Sequence, residues 1–512
     1  MSSFDDDHRT ALMTPDPEGD MNEVTRTYSF DDAMEEIGFG QYHFILMQVC
    51  GAGYFFDGIE LSLSSFIIDP IIVEMNISDV AAAALGSIVF IGMAFGAYLS
   101  GVIADKYGRK PIFCGSVLVV SMFGLLSAFS PNYPILMILR FFVGVGLGGI
   151  PPTDHSMLME FSPKSSRGLS MGSLQVYNAV GGMFECLLAY LCLGRGFNVN
   201  GWRYLVGASA APGFFIFFAR LFVSESPRYM MINGRYNETK ELIKKIALTN
   251  GKEEPVGRLI APVPESKLSV VNQLLGVLSR GYLRSTLLLW LVWFLIAYGG
   301  WGFSFLSPLT YEKLGANTYL STFYGSLVTF VGSVLVMFYI NLVRRKPVLI
   351  VGFLLSGVLL AVTGAYNNVT YMTVFITVSS FVITPPWNAL YVLTAETYPT
   401  SFRATAMGSC SVFYRLGATV TSLSGLPLLS AYGYVWPYFS FGLALLIAGF
   451  LCIFLPNDVL GQSSEDVAHE RKSHGGDLIQ PHIQEKVLEL GSAQELDDFD
   501  NNEYNKLENK DD

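Results

Sequence analysis

Twelve runs of about 20 mostly apolar residues fill most of this chain, and a helix rising 1.5 Å per residue needs about that many to cross a bilayer's hydrocarbon core. Their approximate bounds are 43–68, 82–104, 111–130, 134–158, 169–193, 203–223, 284–309, 318–341, 347–366, 370–394, 404–428 and 433–455. Composition supports the same reading. Of 512 residues 51% are hydrophobic and 15% charged, whereas a soluble chain carries roughly 25% charged residues, so an ordinary soluble enzyme is excluded. The 50 glycines suit close-packed membrane helices, in which small residues let backbones approach. The expected fold class is an all-α membrane protein of twelve transmembrane helices: a six-helix half at 42–223, a polar linker at 224–283 and a second six-helix half at 284–455.

Charge is distributed unevenly. Residues 1–41 hold 11 acidic and 2 basic side chains, residues 456–512 hold 15 and 5, and the remainder is net +8. Placing both termini in the cytoplasm puts nineteen Lys and Arg in inner loops against three (Arg195, Arg203, Lys313) in outer ones, as the positive-inside rule requires. The sequons at Asn76 and Asn368 then lie outside. A polar, acidic start is not a cleavable signal, so the first apolar run is expected to direct insertion. Both tails are expected to be disordered, apart from YSFDDAMEEIGF, an acidic amphipathic segment suited to lie at the inner surface. Acidic tails give no reason to expect nucleic acid. Cys50, Cys114, Cys186, Cys192, Cys410 and Cys452 sit in apolar runs without metal or disulfide spacing. There is no P-loop and no catalytic constellation, so neither an enzyme nor a bound cofactor or metal is expected.

The two halves repeat each other. Glu160, Pro163, Arg167 and Gly172 in EFSPKSSRGLSMG recur 236 residues later as Glu396, Pro399, Arg403 and Gly408 in ETYPTSFRATAMG. The same offset carries Arg109, Lys110 and Pro111 onto Arg345, Lys346 and Pro347, with Asp105 becoming Asn341. One offset linking two separate loops signals duplication and pseudo-symmetry.

GVIADKYGRK resembles the major facilitator signature, while RFFVGVGLGG and SESPRYMMINGR resemble that of its sugar and organic-ion branch. YSFDDAMEEIGFGQYHF, FFDGIELSLSSFIIDP and ETYPTSFRATAMGSCSVFYRLG are similar to the group holding synaptic-vesicle-glycoprotein-related proteins, organic-ion transporters and nicotinate or aromatic-acid carriers. The similarity runs from about 28 to 456. It implies two bundles rocking about a central site, latched at the inner face by pairing Asp105 with Arg109, Glu160 with Arg167, Glu225 with Arg228 and Glu396 with Arg403. Such pairs contribute only about 0–1 kcal/mol each, which suits a switch; plain positive-inside anchoring is the alternative.

Ionisable groups inside a span cost from about 2.5 kcal/mol upward and are functional hypotheses by default. Asp57 and Glu60 lie three apart in the first span, at a depth compatible with Arg140 in the fourth. In similar proton-coupled carriers the acid at the Asp57 position accepts the proton and the fourth-span Arg modulates it, which implies that moving Arg140 away lets Asp57 protonate. Glu60 is an alternative titrating member, and a static ion pair an alternative role. Asp154 and His155, nearer the inner end, read as structural. Glu185 in the fifth span and Arg415 in the eleventh are the other deep charges; relatives handling organic anions tend to have Arg at the Arg415 position, and Glu185 is a potential neutraliser of it.

Aromatic and polar residues accompany these charges: Tyr54, Phe55 and Phe56; Tyr177 with Asn178; Tyr298, Trp301 and Phe303; Trp387 and Tyr391; Tyr414. In YGGWGF and PPWN the Gly and Pro permit broken helices, which membranes tolerate where backbone lines a cavity. The function this implies is secondary active transport of a small organic anion, an aromatic carboxylate foremost, coupled to protons by a monomer in the plasma membrane. The alternatives are a sugar or organic-cation carrier, although the seventh span lacks the paired Gln of sugar porters, and a non-transporting vesicle or receptor protein on the same scaffold.

Overall fold

The computed structural model describes residues 13–15, 24–194, 200–260, 270–279, 281–339, 342–366, 368–398 and 400–455. The tail expectations for 456–512 and for most of 1–23 lie outside the described residues, as do Asn341 and the side chain of Asp105.

Among the described residues eleven helices are long and apolar enough to cross a membrane: Gln41–Phe66, Asp79–Ala104, Arg109–Ala128, Tyr133–Phe161, Lys164–Gly194, Gly201–Leu221, Leu283–Lys313, Thr318–Tyr339, Arg345–Thr363, Val369–Thr397 and Val435–Cys452. The eleventh expected span is the helix Thr400–Tyr432, which is the longest but is diluted by Ser, Thr and two arginines. Several helices outrun their apolar windows because capping side chains continue them. Asn132 accepts from the Ile135 N–H (3.1 Å), Ser78 from Ala81 (3.3 Å) and Asn368 from Thr370 (2.9 Å), each satisfying an end donor that would otherwise lack a partner.

Two features differ from expectation. The seventh span is continuous; at YGGWGF it widens into a π-helical turn, Ala297–Trp301, instead of breaking. Such turns rotate the residues that follow. Pro385 and Pro386 likewise sit inside an unbroken helix, Val369–Thr397.

Within the first half the second span packs on the fourth, the first on the fifth, and the third on the fourth and sixth; in the second half the ninth packs on the tenth and twelfth, and the seventh on the eleventh. The second span crosses to the eleventh and the fifth to the eighth. Glycine pairs set the closest of these approaches. A Cβ on Gly92 or Gly96 would lie 2.2 Å from the Phe141 carbonyl oxygen or 1.9 Å from that of Val145, and one on Gly144 or Gly148 would lie 2.2 Å from that of Val89 or Met93. Two small-xxx-small faces therefore lock the second and fourth spans backbone to backbone.

Loops bearing Lys106, Arg109, Lys110, Lys164, Arg167, Arg344 and Arg345 share one face, here called the basic face. Gly108, at φ 98°, alone joins the second and third spans. A peripheral layer covers the first half here. Ser29 caps the helix Phe30–Ile37, whose Phe30, Ala33, Met34 and Ile37 are buried together with Leu242, Ile243 and Ile246 of the helix Tyr236–Thr249. Asn250 ties both to the first span, accepting from the Tyr42 N–H (2.9 Å) and donating to the Gly38 carbonyl (3.2 Å). Val24–Tyr28 forms a strand parallel to Arg258–Leu259, so part of the acidic tail pairs with the linker, and Tyr28 of that strand is buried in the same cluster. On the opposite, far face, Phe66 of the first span stacks on Tyr319 of the eighth, centroids 6.1 Å apart.

Candidate functional site

Three buried polar groups lie along the first span. Residues three apart on a helix diverge by about 60°, and Asp57 and Glu60 use that divergence to face different neighbours. Glu60 turns to the fourth span and pairs with Arg140 (3.2 Å), each side chain 1% exposed. Glu185 accepts a hydrogen bond from Ser209 (2.9 Å) and, after Glu60, acts most strongly on the charge of Arg140. Arg140 Nε and Nη2, Glu60 Oε1 and Glu185 Oε1 are buried without partners. Arg140 is therefore joined to Glu60 and not to Asp57, and Glu185 belongs to this cluster and does not neutralise Arg415.

Asp57 instead faces the fifth span and the second half. Its Oδ2 accepts from Asn178 Nδ2 (3.2 Å), and its Oδ1 is buried without a partner. The side chain whose opposite charge acts on it most is Arg415. Arg415 donates through Nη1 to the Ser411 carbonyl (3.2 Å) and to the Ser411 hydroxyl. Its Nε is buried without a partner, Nη2 makes no hydrogen bond, and no acidic side chain lies within 4 Å of it among the described residues. The Nε–Nη2 edge, the side of a guanidinium that engages a carboxylate with two parallel bonds, thus has no hydrogen-bond partner in the protein.

An aromatic nest adjoins it. Trp293 meets Tyr391 (4.7 Å), Trp387 (5.7 Å) and Tyr414 (6.2 Å) edge-on, and Trp387 contacts both Tyr391 (5.3 Å) and Tyr414 (5.1 Å). Trp293, held by a bond from Nε1 to Thr394 (3.1 Å), escaped the sequence reading because it stands in an unbroken apolar run, LLLWLVWFLI. In the first half, Tyr54 bonds His155 through its hydroxyl (2.5 Å). Tyr177 packs over Gly51, one to two turns toward the basic face. The seventh-span residues divide differently from expectation: Tyr298 bonds Ser440 (3.2 Å) and meets Phe441, and Phe303 is buried in the second half's core, so neither joins the nest. Trp301 contacts Phe90 of the second span (5.3 Å). Phe55 meets Phe184, and Phe56 is buried within the first half.

The third group is Asp154 with Arg220, both 0% exposed. Arg220 Nη2 lies 2.7 Å from each carboxylate oxygen, Nη1 donates to the Phe113 carbonyl, and the guanidinium stacks 4.1 Å over the Phe113 ring. Arg220 was missed because it ends the sixth span, where an arginine reads as a surface anchor.

At the basic face three of the four expected pairs are re-matched, the fourth, Asp105 with Arg109, resting on a side chain outside the described residues. Glu160 meets Arg109 (3.4 Å) and the Ser226 hydroxyl; Arg167 reaches Asp31 of the peripheral helix (2.7 Å); Glu225 accepts the N–H groups of Arg109 (2.9 Å) and Lys110 (3.0 Å) and does not pair with Arg228; Glu396 meets Arg345 (3.3 Å). Arg167 and Arg403 leave Glu160 and Glu396 because each turns its Nε to the carbonyl five residues earlier, Ser162 or Tyr398, both at 3.2 Å. These contacts keep the 236-residue offset: Arg109–Glu160 recurs as Arg345–Glu396, and Arg167–Ser162 as Arg403–Tyr398.

A family model described as sugar (and other) transporter matches residues 27–468. The synaptic vesicle 2-related protein of Xenopus laevis is 29% identical over 88% of this chain and 84% of its own. The niacin transporter NiaP of Acinetobacter baylyi is 27% identical over 85% and 98%, and organic cation/carnitine transporter 7 of Arabidopsis thaliana 28% over 86% and 96%. Among solved structures, the proton:xylose symporter XylE bound to 6-bromo-6-deoxy-D-glucose superposes with TM-score 0.66 at 19% identity, covering 83% of this chain and 98% of that one. A multi-pass helical fold, a duplicated charge pattern and a matched model spanning most of its length make this chain a member of the sugar (and other) transporter family, with the major facilitator fold.

Proposed function

We propose that this transporter carries a small organic anion, an aromatic carboxylate foremost, by alternating access and together with protons. The observation that carries the reading is the unpartnered Nε–Nη2 edge of Arg415, buried beside Tyr391 and Tyr414 of the aromatic nest. A flat carboxylate suits both parts: two charge-assisted bonds to the guanidinium and edge or face contacts with Trp293, Trp387, Tyr391 and Tyr414. The relative named as a niacin transporter points the same way.

Coupling follows from the charges. In the empty protein Arg415 and Asp57 balance each other across a gap too long for an ion pair. A substrate carboxylate that claims Arg415 leaves Asp57 beside a second anion, and Asp57 takes up a proton. Protonated Asp57 and neutralised Arg415 then cross as one electroneutral unit. The Glu60–Arg140–Glu185 cluster, two acids on one base, is a second proton-holding group in the same half. We place the basic face in the cytoplasm, the protein in the plasma membrane as a monomer, and the Arg109–Glu160 and Arg345–Glu396 pairs as the latch on that face.

The test is uptake into proteoliposomes under an imposed pH gradient, comparing nicotinate and benzoate with nicotinamide, xylose and carnitine. Gradient-driven uptake of the carboxylates alone is expected. Uptake of carnitine or xylose in preference to both carboxylates, or uptake indifferent to the gradient, overturns the reading.

A further inference from the structure

On the far face, between the ends of the first and seventh spans, lies a cavity of about 320 Å³ lined from both halves. Asp69 enters it from the short helix Ile68–Met75 that follows the first span, and Glu312 from the end of the seventh. The two carboxyl groups lie within hydrogen-bonding reach of each other. An ionised carboxylate has no hydrogen to donate, so a hydrogen bond between them forms only while one of the two is protonated.

We propose that Asp69 and Glu312 form a proton-dependent clasp that closes the far face: a shared proton bridges the halves, and its loss sets two anions against each other and favours opening. Lys313, next to Glu312, partly compensates the negative charge; Asp79, at the start of the second span, adds to it. Glu74, further along the same short helix, is already committed to Arg203 (2.7 Å) and the Trp202 indole, so Arg203 is not available to the pair. Tyr319 lies within the field of Glu312 and stacks on Phe66 at the cavity wall.

Burial first, then the charge of Glu312 and the hydrogen bond to it, push the Asp69 carboxyl up to about 7. In an open far face, with Glu312 withdrawn, Asp69 returns toward the ordinary carboxylate range. Closure therefore takes up a proton between that range and about pH 7, and above pH 7 it carries the full cost of two facing anions. By linkage, the ratio of closed to open far face rises about tenfold on going from pH 8 to pH 6.

The clasp is tested by accessibility and not by transport, so its failure and that of the substrate assignment are distinguishable. Ser65, buried on the cavity wall, is replaced by Cys in full-length protein also carrying Cys192→Ser, because Cys192 is the one cysteine not fully buried among those of the chain. Labelling by a bulky impermeant thiol reagent is followed in nanodiscs from pH 6 to pH 8, with Asp69→Asn and Glu312→Gln in the same background. An amide donates to the remaining carboxylate at every pH, so both variants hold the clasp shut. The labelling rate of the parent relative to either variant is expected to rise about tenfold between pH 6 and pH 8. A ratio that stays flat against both variants overturns the clasp, and so does a variant that labels faster than the parent at pH 6. Two independent variants keep the test intact if one fails to assemble.

Discussion

Arg415→Ala is the most informative single change. In the structure Arg415 is 6% exposed, and its guanidinium is anchored only through Nη1 to Ser411 and has two N–H directions without a partner on the Nε–Nη2 edge. Hydrogen bonds to a charged group contribute about 1.5–3 kcal/mol each. Taking the lower end for both bonds gives about 3 kcal/mol, or roughly 150-fold in affinity. The aromatic contacts survive the substitution. The ring of the ligand therefore still binds, and the loss is specific to the carboxylate. The assay is a ligand-by-mutation cycle, titrating purified wild type and variant with nicotinate and nicotinamide, which share a ring and differ in the anionic group. The expected outcome is a loss of about 100-fold for nicotinate and under threefold for nicotinamide, with Arg415→Lys intermediate because a point charge replaces a fork. Equal losses for the two ligands would refute the reasoning and make Arg415 a packing residue that props Tyr391 and Tyr414.

Further outcomes follow from other contacts. Asp57→Asn retains the acceptor for Asn178 but cannot release a proton, so pH-driven uptake should vanish while substrate exchange persists; unchanged gradient-driven uptake would remove Asp57 from the coupling. A Cβ on Gly53 would lie 1.9 Å from Arg220 Nη2 and 2.1 Å from Asp154 Oδ2, and prising a buried pair apart costs about 3–5 kcal/mol. Gly53→Ala is thus expected to lower the thermal unfolding midpoint by several degrees, a midpoint within a degree of wild type showing that the pair has slack. Arg109→Gln and Arg345→Gln each remove about 1 kcal/mol or less, so a shift of up to roughly fivefold in basic-face cysteine labelling is expected. Arg109 should have the larger effect because its pair is the more buried, and no shift from either would leave both arginines as anchors.

The spans, the duplication and the depth of each charge were legible in the sequence because membrane burial imposes length and apolarity on contiguous residues. Partners across helices were not, since they depend on helix rotation. Asp57 and Glu60 share a face by spacing alone, yet the 60° between them sends one to Asn178 and the other to Arg140. The π turn at Ala297–Trp301 rotates the seventh span, and no periodicity announced that Tyr298 and Phe303 would turn to the twelfth span and core while Trp293 faced the nest. The latch pairs were misassigned for a related reason. Local spacing favoured Glu160 with Arg167, whereas the loop folds so that the more distant Arg109 meets it.

Duplication also explains why acids and aromatics separate between the halves. The offset of 236 holds through the fourth and tenth spans, Tyr133–Phe161 and Val369–Thr397, and places Ile376 where the first half has Arg140, Leu390 for Asp154, Tyr391 for His155, Tyr414 for Asn178 and Thr421 for Glu185. The seventh span is displaced by three residues. Gly181 abuts the Phe55 carbonyl, whereas its mate Gly417 abuts that of Phe294, which makes Trp293 the spatial counterpart of Tyr54. The Tyr54–His155 contact thereby recurs as Trp293–Tyr391. Every deep carboxylate of the first half thus has an apolar, aromatic or hydroxyl counterpart in the second, whose one deep cation, Arg415, stands where the first half has Ala179. A symmetric ancestor with charges in both halves would bear the cost of buried ions twice. In the proposed cycle, confining proton-holding groups to one half and the aromatic bed to the other sets Asp57 and Arg415 facing across the seam, and rocking of the halves that alters their separation would link proton occupancy to which face is open.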